Sequence, residues 1–69
     1  MKFKTISQYY QQSECGHWLI SLSRVAGQCV FTLTKDSVMI AQERCNDFAS
    51  ERALAVKELQ KMAGEHGKQ

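Results

Sequence analysis

Apolar and polar residues alternate over most of the chain before Asn46, and that alternation predicts strands. Between His17 and Val25, Trp18, Ile20 and Leu22 fall on one side, while His17, Leu19, Ser21, Ser23 and Val25 fall on the other. Between Gln28 and Lys35, Cys29, Phe31 and Leu33 alternate with Gln28, Val30, Thr32 and Thr34. A period of two marks a strand with one face on a core. Segment 2–12 carries Thr5, Ile6, Tyr9 and Tyr10 without helical spacing, and reads as one further strand. Ser13-Glu14-Cys15-Gly16 reads as a turn.

The register between the strands follows from loop length. With Ala26-Gly27 as a two-residue hairpin loop, Val25 stands opposite Gln28, Leu22 opposite Phe31 and Ile20 opposite Leu33. Directly opposed residues share a face, so both apolar sets land on one side. Asp36-Ser37 as a second loop sets Leu33 opposite Ile40 and Thr34 opposite Met39. Residues 38–44 are then a further strand, with Val38 and Ile40 on the core side.

The pattern changes after Asn46. Ser50 or Asp47 is placed to cap a helix, and Glu51 suits its first turn. Over 50–63, Arg52, Ala55, Val56, Leu59, Met62 and Ala63 form one stripe, with Leu54 off it. Gly64 is the expected stop, and 65–69 the expected tail. The predicted fold class is α+β. It is a three- or four-stranded antiparallel meander covered on one face by a single C-terminal helix, forming one domain over 1–64.

Composition narrows the class. A chain of 69 residues, 43% hydrophobic and 23% charged, is one small globular domain with a thin core, neither disordered nor multidomain. The net charge of +2 is too mild for a dedicated nucleic-acid binder, and the positive excess lies in the first half. Three cysteines cannot all pair within one chain. Met1-Lys2-Phe3-Lys4-Thr5 leads into polar residues, and the longest apolar run, 38–41, is far short of a membrane span. The expectation is a cytoplasmic protein with reduced thiols and no membrane partner, an intermolecular disulfide being the alternative.

Candidate chemistry is sparse. Cys15, His17, Cys29, Cys45 and His66 are the soft ligands, with no CxxC or HxxxH spacing, so neither metal nor cofactor is expected. Cys15, His17 and Cys45 are the thiols and imidazole left as candidates for a metal, and Cys15 with His17 is the one candidate nucleophile–base pair. A one-domain chain with so thin a core has little room for a deep pocket, and no enzymatic activity is expected. Sheet-based readers of a DNA groove need cations on the exposed strand face. That face carries Leu19, Ser21, Ser23, Val30, Thr32, Thr34, Met39 and Ala41 instead. Lys2, Lys4, Arg24 and Lys35 are the residues a nucleic-acid-binding alternative would use.

The uncharged outer face is therefore the leading candidate site. Patches poor in charge and holding Met and β-branched residues suit interface cores. Leu19, Val30, Thr32 and Met39 are the expected contacts with another protein or a second copy. Tyr10 joins them because Tyr9 and Tyr10 point to opposite sides of their strand. The size and layout, with Phe48-Ala49-Ser50-Glu51-Arg52-Ala53-Leu54 as a strand-to-helix junction, resemble small single-domain proteins of phages and mobile elements, anti-CRISPR inhibitors among them. That resemblance implies a stoichiometric inhibitor that covers a surface on a host protein.

Overall fold

Left-handed backbone angles fix the two long hairpins. The computed structural model describes residues 2–66, as β1 (Phe3–Ser7), β2 (Tyr10–Ser13), β3 (Trp18–Val25), β4 (Gln28–Lys35), β5 (Val38–Asn46) and α1 (Ala49–His66). Ala26 and Gly27 have φ of 52° and 78°, and Asp36 and Ser37 have 50° and 71°. Two consecutive positive angles twist the chain as a tight antiparallel hairpin requires. β3 and β4 pair in the expected register, with Val25 opposite Gln28, Leu22 opposite Phe31 and Ile20 opposite Leu33.

The sheet has five strands in the order β1-β2-β3-β4-β5, rather than three or four. The extra strand comes from segment 2–12, which folds back on itself. Its turn has neither Gly nor Asn. Instead the Ser7 hydroxyl accepts the Tyr9 N–H at 3.2 Å, and the Tyr9 carbonyl accepts the Leu22 N–H at 2.8 Å. A hydroxyl-closed turn of this kind replaces the usual turn residues. Tyr9 thus sits in the turn, and both tyrosines are exposed, so neither enters the core.

A second departure lies in β5, which runs to Asn46 rather than 44. Thr34 faces Met39 as expected, but Leu33 faces Ala41, leaving Ile40 as an extra residue. This bulge resets the alternation. Ala41 joins the core side with Ile40 and Cys45, whereas Gln42 and Arg44, opposite Thr32 and Val30, take the outer face. Val38 stays largely exposed at the strand's start.

Trp18, Ile20, Cys29, Phe31 and Leu33 from the sheet meet Ala55, Leu59 and Ala63 of α1 in one buried cluster. Full burial of a leucine such as Leu33 or Leu59 stabilises the fold by about 1.5–3 kcal/mol. Val56 and Met62 flank the cluster, and Leu54 is exposed off the stripe.

The helix ends differ from expectation. Neither Ser50 nor Asp47 caps it. The Phe48 carbonyl accepts the Arg52 N–H at 2.9 Å, and the Glu51 carboxylate reaches back to the Asn46 N–H and side-chain amide at 3.4 Å each. Asp47 instead binds side chains, described below. At the other end α1 continues through Gly64 to His66, whose ring meets Trp18 edge-on at 5.8 Å. That contact holds the last turn in place, so Glu65 and His66 belong to the helix. Residues 67–69 of the expected tail lie outside the described residues. No described helix is long and apolar enough to cross a membrane.

Candidate functional site

Among the described residues, no element covers the outer face of the sheet. Three rows of side chains cross it. Lys4, Gln12, Leu19, Thr34 and Met39 line up across all the strands. Tyr10, Ser21, Thr32 and Gln42 form the second row, and Ser23, Val30 and Arg44 the third. Strand alternation puts them there, because the partners on the other side are the core residues. The Thr34 hydroxyl donates to the Leu19 carbonyl at 3.4 Å, and the Gln42 amide donates to the Thr32 hydroxyl at 3.2 Å. The polar groups at the centre are thus tied down within the sheet.

Each expected contact residue lies on this face, at different depths. Met39 and Tyr10 stand out at 59% and 47% exposure, while Leu19 and Thr32 are half-buried. Val30 is only 5% exposed, between its cross-strand neighbours Ser23 and Arg44. It therefore presents little surface, and a charge placed there would disturb the sheet. The face is also less neutral than the sequence suggests, since the bulge at Ile40 brings Arg44 onto it and Lys4 lies at its margin. The two cations sit at opposite ends, leaving the centre uncharged.

The cations of the nucleic-acid alternative do not converge. Lys4 is on the outer face. Arg24 lies on the helix side, where its guanidinium meets Asp47 at 3.5 Å. Lys35 lies at the other end of β3 and β4, its ammonium 5.4 Å from the Trp18 ring centre. Lys2 is exposed ahead of β1.

On the helix side, α1 rests on β5 and β4 and barely reaches β3. This leaves a groove of about 780 Å³ beside the first hairpin, floored by Leu22, Phe31 and Val56. Arg24, Arg52 and Lys57 border it. Arg24 and Arg52 both bind Asp47, and the Cys29 thiol donates to the same carboxylate at 3.3 Å. The thiol first, then Arg52, hold the Asp47 carboxyl below its usual range. These charges therefore brace the β5–α1 junction. Cys29 and Cys45 stand opposite each other on this side, and burial pushes the Cys45 thiol up.

The remaining cluster lies at the far end of the sheet. The Ser13 hydroxyl is 3.2 Å from the Cys15 sulfur, and His17 Nδ1 is 2.8 Å from Asp36 Oδ1. The sequence pattern does not single out Ser13 or Asp36 as site residues. Asp36 was within reach, because the register that pairs Val25 with Gln28, carried to the other end, sets Asp36 beside His17. Among the described residues, no group of three or more His, Cys, Asp or Glu side chains is placed to hold a metal ion.

The fold is thus a two-layer α+β domain with one open sheet face. No protein-family model matches the chain, and neither a curated protein nor a solved structure shows significant similarity to it.

Proposed function

We propose that this domain is a non-enzymatic binding module that docks another protein on its open sheet face. One observation carries the reading: a five-stranded sheet whose outer face is covered by none of the described elements, with an uncharged centre and Met39 and Tyr10 exposed at its flanks. Charge-free area desolvates at low cost, and methionine and tyrosine are enriched where proteins meet. Lys4 and Arg44 at the margins supply a polar rim that favours a partner with acidic edges. Occupying a partner's surface is the mode of action that fits, as for the phage-encoded inhibitors this layout resembles.

The test compares variants on the two sides of the molecule. Thr32→Arg and Met39→Asp place charge on the outer face without touching the buried Val30, and Leu54→Asp is the control on the exposed side of α1. Affinity capture from a host lysate should yield one species with the parent chain and the control, and lose it with both face variants. Capture that survives both face variants refutes the reading. Sedimentation of the purified chain checks for self-association. A dimer broken by the same two variants makes a second copy the occupant and overturns the choice of a foreign partner.

A further inference from the structure

We propose that the groove between α1 and the first hairpin binds a small amphiphilic anion, a medium-chain fatty carboxylate. The site lies on the helix side of the sheet and requires nothing of the outer face.

The groove exists because the first hairpin turns polar residues toward the helix. Thr5 and Gln11 are cross-strand partners there, and Gln11 in turn faces Ile20. Such residues offer α1 no apolar surface to cover, so the helix stays over β4 and β5. Leu22 and Val56 are left half-buried, with the buried Phe31 opposite Leu22. The volume of about 780 Å³ falls within the range of small-molecule sites, about 300–1,000 Å³.

Both ends of the groove are bridged. At one end the Gln60 amide donates to the Gln11 side-chain carbonyl at 2.8 Å, tying α1 to the hairpin. At the other, Asp47 joins Arg52 of α1 to Arg24 of β3. Arg52 and Gln60 lie about 12 Å apart along the helix axis. Ile20, which faces Gln11, lies about 13 Å from Arg24 along β3. The two spans agree, so the groove is a closed frame of that length. A polypeptide has no straight way through it, whereas a short chain molecule fits within it.

The charge on this frame selects the ligand. Arg24, Arg52 and Lys57 line the groove, and among the described residues no Asp or Glu does. Asp47 meets Arg24 at Nε and Arg52 at one terminal nitrogen. The other N–H groups of both forks remain for an anion. Lys57 is exposed and makes no ion pair with any described residue. Three cations against one carboxylate leave the groove positive above an apolar floor. A small polar anion would leave Leu22 and Val56 in water, and an uncharged chain would bring nothing to the cations. A fatty carboxylate satisfies both, its head at the Arg24–Arg52 end and its tail along Leu22, Phe31 and Val56 toward Gln60.

The test is a titration with decanoate below its micelle concentration, followed by the methyl resonances of the folded chain. Those of Ile20, Leu22 and Val56 should shift and saturate, while those of Met39 on the outer face and Leu54 on the far side of α1 stay in place. Acetate, which lacks the tail, and decanol, which lacks the charge, should each bind at least about tenfold more weakly. Lys57→Glu should weaken decanoate by about tenfold, while Lys61→Glu, an exposed site on the same helix outside the groove, leaves it nearly unchanged at physiological salt. Circular dichroism confirms that both variants fold. Shifts that fail to saturate, shifts at Met39 as large as those at Leu22, equal affinity for decanol or acetate, or equal loss in the two lysine variants would each overturn the proposal.

Discussion

Leu54 and Leu59 are two leucines of the same helix with opposite surroundings, 62% and 0% exposed. Replacing each with alanine makes the same chemical change at nearly the same helix propensity. Any difference in cost therefore reports burial alone. Leu59→Ala removes side-chain atoms from the middle of the cluster formed by Trp18, Phe31, Leu33 and the α1 alanines. Core leucine truncations cost about 2–5 kcal/mol, the upper end where the cavity cannot collapse. Here the core is a single thin layer with an open groove beside it, so the walls can relax and about 2–4 kcal/mol is expected. A chain of 69 residues has about 3–10 kcal/mol to lose. Leu59→Ala thus takes a large share of the total, while Leu54→Ala stays within about 0.5 kcal/mol. Urea unfolding followed by circular dichroism reads both, and Leu59→Ala should lower the midpoint by upward of about 1.5 M. Equal costs for the two variants would refute the assignment of the buried helix face.

Two further variants probe the turns and the junction. Ala26 holds a left-handed angle that costs a residue with a Cβ about 1 kcal/mol, so Ala26→Asn should stabilise by about 0.5–1 kcal/mol and raise the melting temperature by several degrees; no gain would contradict the type I′ geometry. Asp47 has its carboxyl lowered below 3.8 in the folded chain, so its contribution is present above that value and lost as pH falls through the folded pKa. Asp47→Asn should therefore lower the melting temperature at pH 7, with the gap to the parent closing in acid. A gap that persists at pH 2 would show that the carboxylate charge is not what braces the junction.

What the sequence made legible depended on how local each signal was. The β3–β4 register was readable because a two-residue loop admits one pairing that puts Leu22 and Phe31 on the same side. The first hairpin was not, because a serine hydroxyl closes its turn and Gln8-Tyr9 carries none of the usual residues. The Ile40 bulge was equally silent. Straight alternation continues past it, which puts Ala41 on the wrong face and Arg44 on the core side. The helix runs past Gly64 because His66 reaches Trp18, a contact between distant residues that no local propensity encodes. At the candidate site, alternation identified the face of Val30 but not its depth, which depends on neighbours from two other strands. Cys15 and His17 were visible as a pair, and their partners Ser13 and Asp36 became visible only once the turns were laid side by side.

The limited reach of α1 has a consequence for how the molecule breathes. The helix clamps β4 and β5, while β1 and β2 are held chiefly by the backbone ladder to β3 and by the Gln60 amide donating to Gln11 at 2.8 Å. That ribbon gives the apolar core only the partly buried Phe3, so peeling it away is the cheapest sub-global opening expected of the fold. Amide protons of β1 and β2 should exchange with deuterium well before those of β3 and β4, and a protease should nick the N-terminal ribbon while the remainder stays intact.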